Sequence, residues 1–406
     1  MRGRLFSGLN HAGTKYPSAR GKDRVGRPLL GSIPGWKEQL LISWLNSPKV
    51  DLGFFGRVAE AFKKCLMDQT GLRPIVAINI ARFWAGATAK DIIDKLLSDL
   101  KPYCDFVISD KPQVLLYGPY GGEMPSGRYL KVFIGCENLR PLMDECDWAF
   151  GVEHEEYVGN PRYMRIARWN DDSHLVHKRR DWAEVLREKT RFCAFVHANS
   201  VYYREAFVRA LSRYKPVDAP GKSMNNMPSI DPTPGELDWS AKVTFLRKYK
   251  FVVAFENSSW PGYNTEKLCD AIEADSLPIY WGDPQISRSF NTARFVNAHD
   301  HLPNPRRLLP RLPHFQHSLR MAALPTLPQR IARRINGTFS QIEQHAWAAS
   351  GFESLVDRII AIDRDDELYL QYLRQPFLIG DKPPDRTRWI ARWHEIFAQA
   401  ATLVRM

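Results

Sequence analysis

Between residues 251 and 283 the chain reads FVVAFENSSWPGYNTEKLCDAIEADSLPIYWGD, and this stretch narrows the possible folds more than any other. FVVAF is a short run of apolar, β-branched and aromatic residues, the composition of a buried strand. ENSSWPGYN is dense in Asn, Ser, Pro and Gly and reads as a loop. Thr265 is an N-cap type of residue, and Leu268, Cys269, Ile272 and Glu273 follow it at helical spacing. LPIYW is a second apolar strand, closed by Gly282-Asp283-Pro284. Strand, loop, helix and strand form a βαβ unit, whose loop lies beyond the carboxyl end of the first strand, where open parallel sheets bind ligands. The loop gathers Glu256, Asn257, Tyr263, Glu266 and Lys267 around a helix N-terminus. Free N–H groups, the helix dipole and the Lys267 charge favour an anion there, and Glu266 is placed to accept from sugar hydroxyls. A diphosphate carrying a ribose fits that set. An ordinary βα turn with a capped helix and surface charges fits it equally, because neither GxGxxG nor GxxxxGK[ST] is present.

At 406 residues the chain has room for two domains of ordinary size. Six cysteines are scattered without a CxxC pair, which argues against a disulfide framework or a zinc site and for a reducing, cytoplasmic setting. No run reaches the ~18 apolar residues of a membrane span, and no signal peptide is evident. The formal net charge of +12 raises the question of nucleic acid. The excess is local, however. Residues 1–30 carry seven Lys and Arg against Asp23 alone, and residues 301–342 contain no acid. With no RNP, KH or zinc-finger pattern, no nucleic-acid partner is expected.

Along the chain, residues 1–30 have the composition of a disordered segment. Trp36, Leu40, Leu41, Trp44 and Leu45 share one helical face, and Phe54, Phe55, Val58, Phe62 and Leu66 another. These faces suit packing on the main body or peripheral contact with a membrane surface. Strands are expected at 74–80, 104–110, 114–118, 129–138, 146–152 and 162–169, with a helix over 89–100. Short strands alternating with helices indicate a parallel α/β sheet. Residues 170–190 are polar and read as a linker. A second α/β run follows: a strand over 191–198, NSVYYR (199–204) as a loop, a helix over 205–214, the strands at 251–255 and 277–281, and one at 294–300. Residues 301–350, rich in Arg, Pro, Leu and His, break the pattern and include the sequon Asn336-Gly337-Thr338. Two helices joined by a turn at 363–366, then a last helix over 386–403, complete the chain. Asp363-Arg364-Asp365 matches DxD but begins a predicted C-terminal helix and is expected to cap it rather than hold a metal.

FENSSWPGYNTEK (255–267) with DAIEADSLPIYWGDP (270–284) resembles the signature of the α-1,3/4-fucosyltransferases, glycosyltransferase family 10. GCENLRPLMDECDWAFGV (135–152), RFCAFVHANSVYYREAF (191–207), YKPVDAPG (214–221), FVNAHD (295–300) and DDELYLQYLRQPF (365–377) resemble further segments of that family, in order. The likeness covers about residues 72–300 and 351–378.

The resemblance implies an α/β fold of the GT-B type, two facing Rossmann-like domains with parallel sheets. It implies residues 71–170 as the acceptor domain and 191–300 as the GDP-fucose-binding domain. These are flanked by an extension at 1–70, a linker at 171–190, a basic insertion at 301–350 and helices at 351–406. The implied reaction is inverting transfer of L-fucose from GDP-β-L-fucose to a sugar hydroxyl of a glycan acceptor, O3 of GlcNAc in the usual case. Glu137 would be the general base, with Arg204, Asn257, Tyr263, Glu266 and Lys267 binding the donor and no metal cofactor required. An inverting displacement needs a base on the acceptor hydroxyl opposite the leaving group, and cations can offset the departing diphosphate. A different nucleotide-sugar donor, or a non-catalytic basic module for membranes or nucleic acid, are the alternatives weighed.

Overall fold

The computed structural model describes residues 73–403 apart from 85, 167–172, 178–179, 231–238, 303–344 and 346–350. The expectations for residues 1–30, for the amphipathic faces at 36–45 and 54–66, for most of 301–350 and for the sequon lie outside the described residues.

Eleven described strands form two sheets in which every neighbouring pair is parallel. The first holds β1 (Ile75–Ala81), β2 (Asp105–Ile108), β3 (Val114–Tyr117), β4 (Leu130–Ile134), β5 (Trp148–Gly151) and β6 (Tyr163–Arg165), in the order β2-β1-β3-β4-β5-β6. The second holds β7 (Arg191–Ala194), β8 (Val217–Asp218), β9 (Tyr249–Phe255), β10 (Leu277–Trp281) and β11 (Val296–Asn297), in the order β11-β10-β9-β7-β8. VLLY of β3 and LPIYW of β10 are buried at every residue. This is why they read as unbroken apolar runs: a parallel strand is covered on both faces, so neither face is left for polar residues.

Helix α1 (Ala89–Leu96) starts where Thr88 Oγ1 accepts from the Asp91 N–H at 3.1 Å, and it buries Ile92, Ile93 and Leu96. It is four residues shorter than expected. α2 (Glu155–Val158) is a single turn after β5. The stretch read as a linker contains α3 (Trp182–Glu188), capped by Asp181, whose Oδ1 accepts from the N–H groups of Ala183 and Glu184 at 3.0 and 3.2 Å. α4 (Tyr202–Leu211) begins three residues earlier than its composition suggests. Tyr203, Phe207, Val208 and Leu211 are buried on its inner face, and that burial draws Tyr202, Tyr203 and Arg204 out of the expected loop into the first turn.

α5 (Trp239–Leu246) and α6 (Glu266–Glu273) bury Val243, Leu246, Ala271 and Ala274 against β7 and β9. α3, α4, α7 (Glu353–Arg364) and α8 (Asp366–Leu373) share a separate core with Phe251, Val253, Ile279 and Val296 of the same sheet. At the α7–α8 junction, Asp365 Oδ1 accepts from the Leu368 N–H at 2.9 Å, and Asp363 accepts from Lys215 and Tyr214 at 2.5 and 2.9 Å. Both carboxylates of the DxD match are therefore spent on helix ends.

The last helix, α9 (Thr387–Leu403), does not join α7 and α8. Trp389, Trp393, Ile396, Phe397 and Ala400 pack into the core of the first sheet. Trp393 stacks on Phe150 at 5.1 Å between ring centroids, and Trp148 Nε1 donates to Gln399 at 2.7 Å. The terminal helices read together at 351–406 are thus divided between the two sheets. Trp393 is fully buried, so Trp393→Ala is expected to cost about 3–5 kcal/mol. Urea unfolding followed by near-ultraviolet circular dichroism should show a lower midpoint for the first-sheet transition.

Candidate active site

β9 ends at Phe255 and delivers Glu256 to the carboxyl edge of the second sheet, where its side chain is fully buried. Oε1 accepts from the Thr265 N–H at 2.7 Å. Oε2 accepts from Thr265 Oγ1 at 2.8 Å and from Lys267 Nζ at 3.2 Å. Thr265 sits at the N-cap of α6 without making a side-chain cap bond, because its hydroxyl faces Glu256 and Lys267 instead. The sequence leaves this helix N-terminus open to an external anion; in the structure the Glu256 carboxylate already holds its first N–H. Gly282 makes the seat possible, since a Cβ there would lie 2.4 Å from Glu256 Cγ.

Electrostatics follow from burial. Burial pushes the Glu256 carboxyl above its ordinary value, against the pull of Lys267. For Lys267 burial opposes the charge, yet Glu256 and Glu266 outweigh it and hold the ammonium above its usual range. Glu266 resists desolvation through Lys267 and Lys242, which bring it down to about 2. Both Glu266 and Lys267 are ionised at neutral pH.

Glu137 lies on the loop after β4, half-buried. Its Oε2 accepts from the Tyr263 hydroxyl at 3.3 Å and its Oε1 from the Tyr120 hydroxyl at 3.4 Å. Burial, then the Glu137 charge, raises Tyr120 to about 12, so it stays a donor. The loop between β9 and α6 rests on the first sheet at further points. Asn138 Nδ2 donates to Ser258 Oγ. Arg165 of β6 donates to Val152 O at 2.9 Å and to Gly262 O at 3.3 Å. Gly262, at φ +86°, comes so near that a Cβ would lie 2.2 Å from Val152 O. Only glycine fits that approach and that backbone.

Arg204 is buried in the first turn of α4. One terminal nitrogen donates to His197 Nδ1 at 2.8 Å and to Phe255 O at 3.4 Å, the other to Asn199 O at 2.8 Å, and among the described residues Nε keeps no partner. His197 Nε2 lies 3.0 Å from Val253 O. A carbonyl only accepts, so Nε2 carries the proton and Nδ1 is free to accept from Arg204. Burial, then the Arg204 charge, holds the ring's pKa well below its ordinary value and keeps it neutral. The neighbouring acids pair with other arginines: Glu205 with Arg209 at 3.1 Å and Asp218 with Arg191 at 2.6 Å.

Glu137, Tyr263, Glu266 and Lys267 thus line one seam between the sheets, with Arg204 beneath it. Asn257 is half-buried beside Glu256, and among the described residues its side chain joins none of these hydrogen bonds. The sequence reading underrated Glu256, which it placed in the loop without a role. It missed Tyr120, Arg165 and His197, which carry no local motif and are brought in by topology. Among the described residues no group of three or more His, Cys, Asp or Glu is placed to hold a metal.

Comparison with known proteins is consistent across the chain. A family model described as Glycosyltransferase family 10 (fucosyltransferase) C-term matches residues 161–320, and one described as Alpha-(1,3)-fucosyltransferase FucT N-terminal domain matches residues 78–171. The putative fucosyltransferase R654 of Acanthamoeba polyphaga mimivirus is 37% identical over 130 residues, 31% of this chain and 22% of its own length. The alpha-(1,3)-fucosyltransferase FucT of Helicobacter pylori is 26% identical over 277 residues, 56% of this chain and 54% of its own length. The chain therefore spans from about a fifth to about half of these two relatives. A crystal structure of an α1,3-fucosyltransferase with GDP-fucose superposes with a TM-score of 0.55 at 20% identity, covering 83% of this chain and 95% of that one. At that identity the likeness is one of fold: two facing parallel α/β sheets of the GT-B type.

Glu266 offers a test of the charge cluster. Its folded pKa of about 2 lies below the unfolded value of about 4.3, so its ionisation stabilises the fold above that unfolded value. The contribution is lost as pH falls toward 2. The difference in thermal midpoint between the native chain and Glu266→Gln is expected to be constant above pH 5 and to shrink steadily below pH 4.

Proposed function

The chain belongs to glycosyltransferase family 10, and from that premise we propose that it transfers L-fucose from GDP-β-L-fucose to a sugar hydroxyl, inverting the anomeric centre. The observation that carries this reading is the meeting of Glu137 and Tyr263 at 3.3 Å, which sets a carboxylate on the loop after β4 of the first sheet against the loop of the second. In the proposed reaction an acceptor hydroxyl attacks the anomeric carbon from the face opposite GDP. The new C–O bond forms as the bond to the diphosphate breaks. The hydroxyl proton passes to Glu137, and the bonding electrons leave with GDP. O3 of an N-acetylglucosamine residue is the acceptor position proposed.

The charge cluster gives the donor residues separate tasks in this scheme. Lys267 is already bonded to Glu256 at 3.2 Å and to Glu266 at 3.4 Å, so it is held in place and partly neutralised. Among the described residues Arg204 has no carboxylate partner and keeps Nε–H in reserve, which suits it to the charge that builds on the departing diphosphate. Glu266, the more exposed of the two carboxylates, accepts from hydroxyls of ribose or fucose. Tyr263 gives up its bond to Glu137 when the acceptor arrives. Asn257 stands at the loop entrance as a further donor contact.

Glu137→Gln is expected to lower kcat by about 10²–10⁴-fold while leaving GDP affinity within twofold. Lys267→Ala should weaken GDP binding about tenfold or more, the loss of a charged hydrogen bond. Isothermal titration with GDP and UDP, paired with turnover of GDP-fucose on N-acetylglucosamine acceptors with and without EDTA, reads all three. Near-normal turnover of Glu137→Gln overturns the base assignment, and preference for UDP overturns the donor. Because the compensating charges are side chains, EDTA is expected to change nothing.

A further inference from the structure

At the amino end of the second sheet, opposite the seam that holds Glu137 and Lys267, lies a cavity of about 150 Å³. Its walls come from segments that precede strands: Arg247 before β9, Asp275 before β10, Arg294 before β11, with Arg180 and Trp182 from the start of α3. The volume equals that of about five water molecules in the liquid, room for a small polyatomic anion.

Arg294 is the unusual wall. It is 2% exposed, yet the one hydrogen bond of its guanidinium among the described residues is a 3.5 Å contact from a terminal nitrogen to Ser276 O, and none of the described ion pairs includes it. A buried guanidinium has five donors to satisfy, and an uncompensated buried charge is costly unless an anion meets it. The two carboxylates that line the cavity have other ion-pair partners. Asp275 is paired with Arg180, and Glu273 lies 3.5 Å from His174. Asp275 is also held at φ +54°, a left-handed backbone that asparagine, aspartate and glycine adopt most readily. Asp275 makes its ion pair with Arg180, and its charge reaches Arg294 only as the weaker of two longer-range contributions, after that of Tyr369. Arg247 stands exposed at the rim without an ion pair among those described. Counting Arg180, Arg247 and Arg294 against Glu273 and Asp275, the walls carry one more positive charge than negative.

We propose that this cavity binds a phosphate group, free or carried by a small phosphate monoester, between Arg294 on its floor and Arg247 at its rim. The site is separate from the seam and joined to it by α6, whose first turn carries Glu266 and Lys267 and whose last residue is Glu273. At eight residues that helix spans about 12 Å.

The experiment is isothermal titration of the full chain at fixed ionic strength with inorganic phosphate and, in a separate arm, with glucose 1-phosphate, each with and without saturating GDP. Saturable binding that GDP leaves unchanged is expected in at least one arm, and the tighter arm identifies the source of the phosphate. Arg294→Gln should weaken it tenfold or more. Arg247→Gln alters an exposed side chain that the fold does not need, and should weaken the binding at least threefold. The proposal is overturned by absence of saturable binding in both arms, by binding that survives Arg247→Gln unchanged, or by binding that GDP abolishes.

Discussion

One buried carboxylate organises the second half of this molecule. Glu256 has no solvent and spends its oxygens on Thr265 and Lys267. A carboxylate in that position is tolerable only because a cation and an N-terminal N–H meet it, and leaving either unmade would strand a buried charge. Through it β9, the first turn of α6 and Lys267 become one rigid piece, and Gly282 of the neighbouring strand end must stay without a side chain to admit it. The loop between them is then fixed at both ends, and its middle can lie against the first sheet.

That middle is where the two halves are read against each other. Tyr263 reaches Glu137, Asn138 reaches Ser258, and Arg165 ties Gly262 to Val152. Apart from the Arg165–Val152 bond, these contacts join residues about a hundred or more positions apart in the chain. They arise because parallel sheets present their carboxyl ends, and the loops there, on one side.

Sequence patterning located most of the strands because buried parallel strands read as unbroken apolar runs; the strand read over 294–300 is the exception, only Val296–Asn297 being extended, with a 3-10 turn at Ala298–Asp300 after it. It located the candidate seam well because FENS and TEK flank a strand end and a helix start that are recognisable by composition. It failed where burial overrode local preference. NSVYYR looks like a loop, but buried Tyr203 and Phe207 pull it into α4, so Arg204 is a helical, inward-facing residue. Asp181 caps a helix inside a stretch whose polarity suggested a linker. His197 had no legible role at all: its neutral state and tautomer are consequences of Val253 O on one side and Arg204 on the other, neither near it in sequence. The same holds for the partition of the terminal helices, since all three are amphipathic and nothing in the period of α9 says which sheet it covers.

The return of α9 to the first sheet has a consequence for how the molecule is made. Trp389 and Trp393 lie about 240 residues beyond Phe150, the ring they cover, and Phe397 meets Phe106 beside them. Until those last turns emerge, the face of the first sheet that α9 shares with α1 is only partly covered, however complete the strands beneath it. Synthesis therefore cannot finish the two halves one after the other. The half begun first is closed last, by a contact of very high sequence separation, the kind that is slow to form because a long loop must close before it is rewarded.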